Sequence, residues 1–132
     1  MTVKKITPVL LVEQVEPCVE FWTRRLGFQK TVEVPEGNTI GFAILQKEKV
    51  ELMYQSYASV EKDSPESMRR LQRGPTFLYV EVESLDAAIA AVQGAEVVMA
   101  VRTTFYGARE IGVKDPGGHI IILAQLGVAP QA

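Results

Sequence analysis

The strongest constraint on this chain is that its pattern of elements runs twice. VEQVEPCV from Val12 and VESLDAAI from Val82 correspond at a constant offset of 70 residues. Each stretch sits between one strand-like run and three more. In the first copy Ile6–Val12 reads as a strand, with Pro8 arguing for an edge or a bulge. Val15, Cys18/Val19, Trp22 and Leu26 then recur at helical spacing, with Pro17 in the first turn and Gly27 just past the end. Phe28–Val34, Thr39–Gln46 and Val50–Gln55 follow as strands, separated by the turn Pro35–Asn38 and the polar link Lys47–Lys49. In the second copy Thr76–Val82 is a strand and Ser84 caps a helix with Leu85, Ala88/Ile89 and Val92 as its inner stripe. Gly94 ends that helix and Ala95–Val101 is again a strand. A repeat of this kind means two similar modules built into one core. The expectation is an α+β fold: two tandem βαβββ modules forming curled mixed sheets around a cleft. Residues 1–132 read as a single domain, with module one at 4–55, a linker at 56–75 and module two at 76–126. Within the linker, Ser64-Pro65 opens and Gly74 closes a short surface helix.

The second module ends in a hairpin whose turn has a stated mechanism. In Asp115-Pro116-Gly117-Gly118 the proline presets its own φ, and the glycines accept positive φ without steric cost. Arg109–Lys114 and His119–Gln125 are the flanking strands. The near-continuous apolar character of the second predicts a strand covered on both faces. His119, the one histidine, reads as a surface turn residue.

Composition excludes several classes. A net charge of −2 with no basic cluster argues against nucleic-acid binding, and Arg24-Arg25 and Arg69-Arg70 read as solvated helix faces. One cysteine excludes an internal disulfide; Cys18 reads as a small core residue, consistent with a reducing cytoplasm. No secretory h-region follows Met1 and no apolar run approaches the ~20 residues that span a bilayer, so neither secretion nor a membrane partner is expected. Nucleophile–histidine pairs, glycine-rich nucleotide loops and P-loops are absent from the sequence.

PVLLVEQVEPCVEFWTRRLGF at 8–28, VEL at 50–52 and FYGAREIGVKDPGGHIII at 105–122 resemble the vicinal-oxygen-chelate superfamily of glyoxalases, extradiol dioxygenases and bleomycin-resistance proteins, most of all the bleomycin-resistance branch. The resemblance implies one divalent metal held by four side chains, two per module, at positions that fall on Thr7, Glu51, Phe77 and Ile122. The repeat agrees, since Thr7 and Phe77 are 70 apart. Only Glu51 is a good ligand for a first-row metal or zinc, so no metal and no cofactor is expected.

A cleft whose metal positions are apolar becomes a small-molecule site. Strand alternation adds Val9, Met53 and Tyr79 to the four positions above as lining residues, together with Leu11, Ile120 and Ala124. The resemblance places Phe105 and Tyr106 at the cleft mouth, with Tyr106 near a ligand-stacking aromatic. Phe77 and Tyr79 read equally well as core packing, and Met53 and Met99 as gap-fillers. Glu51 would be costly to bury unpaired. It is expected to face Arg109, to face a ligand, or to act as a general base. Arg109 is a lining candidate too, although Arg109-Glu110 also reads as bracing the hairpin. The expected function is metal-independent binding of a small molecule, sequestering a drug or aromatic metabolite as in antibiotic resistance. The alternative is a lyase or isomerase acting on a carbonyl compound with Glu51 as base. A homodimer is the expected assembly.

Overall fold

A computed structural model describes residues 1–129. The chain divides into two compact units, Met1–Arg73 and a second beginning at Gly74. Each is a four-stranded mixed sheet with a helix after its first strand, so the tandem βαβββ repeat is present.

The first unit runs β1 (Val9–Val12), α1 (Val15–Leu26), β2 (Gln29–Glu36), β3 (Thr39–Lys47) and β4 (Val50–Ser56). Its strand order is β1-β4-β3-β2, with β1 parallel to β4 and the rest antiparallel. The edge position of β1 suits Pro8, whose ring sits just before the strand while its carbonyl accepts from Met53 N at 3.0 Å. Pro35 does not open the turn: β2 continues to Glu36, and a register shift between Val34 and Pro35 on this edge strand absorbs the missing N–H. Helix α1 ends at Gly27 in the left-handed conformation (φ 75°), where Lys47 Nζ reaches the open carbonyl of Leu26 at 2.9 Å. Its buried side chains Val15, Cys18, Phe21 and Trp22 lie on the sheet face that carries Leu10, Val12, Ala43, Leu45, Leu52 and Tyr54, all buried. At the centre, Trp22 Nε1 donates to Tyr54 Oη at 2.8 Å, and the Trp22 ring meets Phe28 edge-on with centroids 5.0 Å apart.

Between Ser56 and Gly74 the chain forms two short helices rather than one: α2 (Tyr57–Asp63) and α3 (Pro65–Arg70). Ser56 is the reason α2 starts where it does, because its hydroxyl accepts from Ser59 N at 3.1 Å and Val60 then buries its side chain. Arg73 folds back, its guanidinium 4.3 Å from the Tyr57 ring centroid and 2.8 Å from Glu13.

The second unit runs β5 (Phe77–Glu81), α4 (Leu85–Ala91), β6 (Glu96–Thr103), β7 (Ala108–Lys114) and β8 (Ile120–Leu126), in the order β5-β8-β7-β6. Ser84 caps α4 by accepting from Ala87 N at 3.1 Å. The DPGG turn closes on Asp115, whose Oδ1 accepts from Gly117 N at 3.0 Å and His119 N at 2.7 Å, while Gly118 takes φ 96°. His119 is not a surface residue. It is 4% exposed, and its Nδ1 accepts the backbone N–H of Thr76 at 2.9 Å, pinning the start of β5 to the start of β8. The turn draws the imidazole inward because β8 begins immediately beside β5, where Thr76 N would otherwise have no strand partner.

Candidate functional site

Hydrogen-bond register sorts the second sheet into two faces. Helix α4 covers Ile111, Val113, Ile121 and Leu123, all buried. The opposite, helix-free face carries Phe77, Tyr79, Ile120, Ile122, Ala124, Gly112, Glu110, Met99 and Arg102. Phe77 is 71% exposed and Tyr79 53% exposed on this face, yet Glu110 on the same face is fully buried.

Glu110 tolerates burial because three hydrogen bonds and an ion-pair contact converge on it. Tyr79 Oη and Tyr106 Oη donate to its Oε2 at 2.7 and 2.6 Å. Arg102 donates from Nε to its Oε1 at 3.1 Å, and Nη2 lies 3.0 Å from the same oxygen in an ion pair. Each partner arrives for a local reason. Tyr79 lies two strands away across β8, and the intervening Ala124 is small enough for the phenol to pass over it. Arg102 comes opposite Glu110 through two irregularities in β6, at Val97/Met99 and Met99/Arg102. Tyr106 stands on a four-residue loop fastened by Thr104, whose Oγ1 accepts from Ala108 N at 3.0 Å and whose N donates to Ala108 O at 2.7 Å. That loop closes at Gly107 with φ 82°, where an added Cβ would lie 3.0 Å from the Val128 carbonyl oxygen. Phe105 beside it meets the Tyr106 ring edge-on at 5.2 Å.

The electrostatics follow from this geometry. Burial pushes the Glu110 carboxyl up, but the hydrogen bonds from Tyr106, Tyr79 and Arg102 outweigh it and hold the group below the usual carboxylate range. Burial of its hydroxyl end and the bond to Glu110 push the Tyr79 phenol well above its ordinary value, and Arg102 is raised chiefly by its bond to the same carboxylate. The cluster is therefore an ionised acid, a cation and two neutral phenols. A carboxylate so saturated is a poor proton acceptor.

The first unit has a helix-free face of its own, with Val9, Leu11, Phe42, Ile44, Met53 and Glu51. Glu51 there is not paired with Arg109. Lys5 Nζ meets its Oε1 at 2.8 Å, because the N-terminal segment before β1 passes the start of β4. Thr7 lies two residues ahead of Val9 and is half-buried.

Thr7, Val9, Met53 and Glu51 thus gather on one unit, and Phe77, Tyr79, Tyr106 and Ile122 on the other, with Phe105 at the edge of the latter. Arg109 belongs to neither group: it points to the α4 side and pairs with Asp86 at 2.8 Å. The correction is one of parity. Glu110, not Arg109, is opposite Ala124, and a shift of one residue along a strand exchanges faces. Placing Ala124 and Ile122 inward already required Glu110 to join them, which was the available signal. The role of Arg102 had no such signal, since it depends on the bulges in β6.

The sequence profile described as the Glyoxalase/Bleomycin resistance protein/Dioxygenase superfamily matches residues 5–123. The chain belongs to this superfamily. Comparison with curated proteins finds no match. Solved structures similar in fold include a glyoxalase/bleomycin resistance protein/dioxygenase from Nocardioides (21% identity, covering 100% of this chain and 91% of that one, TM-score 0.72). TioX from Micromonospora sp. ML1 is similar too (21% identity, 95% of this chain and 100% of that one, TM-score 0.73). So is lactoylglutathione lyase from Agrobacterium tumefaciens (11% identity, 94% and 95%, TM-score 0.74).

The divalent metal expected from the superfamily resemblance does not fit the residues present. Of Thr7, Glu51, Phe77 and Ile122, two carry no donor atom and the one carboxylate is held by Lys5. Among the described residues no three His, Cys, Asp or Glu side chains cluster so as to hold a metal ion. No helix among them is long and apolar enough to cross a membrane.

Proposed function

We propose that this superfamily member binds a small, partly aromatic molecule without a metal, on the helix-free face of its second module. The observation that carries the reading is the buried Glu110 carboxylate, which fixes two tyrosine rings at the surface. Exposed aromatic side chains usually collapse or pack; here Tyr79 and Tyr106 are held out by bonds at their hydroxyls, beside Phe77, Phe105, Met99 and Ile122. Rigid rings around a few fixed polar groups are the usual composition of a ligand site. The function is then sequestration of a drug or metabolite, in keeping with the bleomycin-resistance name in the superfamily's description. We place such a protein in the cytoplasm, consistent with a single, buried cysteine, Cys18. We expect it as a homodimer, consistent with the apolar helix-free face of each module; light scattering of the purified protein checks this.

The alternative, a lyase or isomerase with Glu51 as general base, has weaker support, because Lys5 already holds that carboxylate. Thermal-shift screening against planar aromatic compounds separates the two, since a ligand stabilises only the state it binds. Sequestration predicts hits recovered chemically unchanged, bound at least tenfold more weakly by a Phe77→Ala/Tyr79→Ala variant. Hits converted to product by wild type but not by Glu51→Gln would overturn it.

A further inference from the structure

On the second module's open face the Glu110 cluster has most of its hydrogen-bonding capacity spent, and what remains there defines the ligand; Glu81, at the end of the same face, is an exposed acceptor. An ionised carboxylate only accepts, so both phenols must donate to Glu110. Their hydroxyl hydrogens are used up, and toward a ligand each phenol oxygen offers lone pairs alone. Glu110 itself is closed: it is fully buried, and its two oxygens receive three hydrogen bonds and an ion-pair contact. Arg102 commits Nε and Nη2 to Glu110 and keeps Nη1 as a donor on a side chain that is 54% exposed. The two phenol oxygens share one acceptor atom, so they are no further apart than the two bonds laid end to end.

Resting on the reading of this face as the ligand site, we propose that it selects a flat heterocycle carrying a ring N–H donor beside a carbonyl, of the lactam or cyclic urea type. The ring lies against Phe77, its N–H donates to one phenol oxygen, and its carbonyl accepts from Arg102. Flat molecules that bring only acceptors to the tyrosines are disfavoured, because lone pairs then face lone pairs. Glu110 acts as a positioning residue: it touches no ligand atom but sets which way both phenols point.

Benzimidazol-2-one and indan-2-one test this directly, being nearly the same shape with ring N–H in one and CH2 in the other. Affinities measured by NMR titration of the wild-type chain are expected to favour benzimidazol-2-one by about five- to tenfold, as one net hydrogen bond allows. In Tyr79→Phe/Tyr106→Phe, which keeps both rings, the preference should fall to within about twofold while indan-2-one still binds. Glu110→Gln, whose amide donates to one phenol and so frees its hydrogen, should shrink the preference to a few-fold. Equal wild-type affinities, or a preference unchanged in the double variant, would overturn the inference and leave the face standing as a ligand site. Failure of both probes to bind at millimolar concentration would remove the face as well.

Discussion

The two modules share a topology and use their aromatic residues in opposite ways. The first buries them: Phe21, Trp22, Phe28 and Tyr54 lie under a twelve-residue helix, with a tryptophan–tyrosine hydrogen bond at the centre. The second has a seven-residue helix, LDAAIAA, too small to cover much, and its core is made by strand residues such as Val113, Ile121 and Leu123. Its aromatic residues stand on the other side of the sheet, exposed, around a buried acid. Duplicating a module therefore duplicated the backbone pattern and not the use of its faces. One copy spends its rings on stability and the other holds them at the surface.

The widest separation between the copies should come from Trp22→Ala. It removes the largest buried side chain of the first module and leaves Tyr54 facing a cavity, so denaturant unfolding should show a loss of about 3–5 kcal/mol. A loss below about 1 kcal/mol would mean that the first module's helix face is not the tight core described.

Glu110→Ala should cost less, about 1–3 kcal/mol, because the tyrosine and arginine groups it releases can reach water. The same carboxylate gives the second module an acid sensitivity. Its native pKa lies below the ordinary carboxyl value, so its pairing contributes fully above the usual carboxylate range and is lost as pH falls through the depressed native value. Wild type should lose stability below that range more steeply than Glu110→Ala. Parallel acid curves for the two proteins would show that the cluster is not linked to folding.

A matched pair of Tyr→Phe changes sharpens the contrast. Tyr54→Phe strands the buried Trp22 N–H and should destabilise by about 1–2 kcal/mol. Tyr79→Phe leaves Glu110 its bonds from Tyr106 and Arg102 and should cost under about 1 kcal/mol, its effect appearing instead in ligand binding. Reversal of that order would mean that the second module's face is core after all.

Why part of this was legible in the sequence and part was not has a physical basis. Ser84, Gly27 and the Asp115 turn act on backbone groups a few residues away, so composition alone placed them. The repeat set the succession of strands and helix along each module by the same local evidence, copied at an offset of 70. Glu51 and Glu110, by contrast, look alike in sequence: each is an acid in an apolar strand. Their difference arises from what crosses beside them. Lys5 meets one from an N-terminal segment; two tyrosines and an arginine meet the other over a small Ala124 and through two bulges. Bulges and long-range register leave almost no local trace, so attention to Arg109 missed its neighbour by one position.

The smallest effect tests that same difference between the acids. The Lys5–Glu51 pair is an ion pair at the module's edge, with the lysine side chain 59% exposed. The Glu51 side chain is only 16% exposed, but water solvates the lysine end and its long flexible stem must be held still, so the pair gains little. Lys5→Ala should therefore change stability by no more than about 0.5 kcal/mol, and raised salt should erase even that. Paired urea curves at low and high ionic strength would measure it. If Lys5→Ala costs as much as Glu110→Ala, the first module's acid is embedded as deeply as the second's. The two faces would then be equivalent, and the assignment of ligand binding to the second alone would lose its basis.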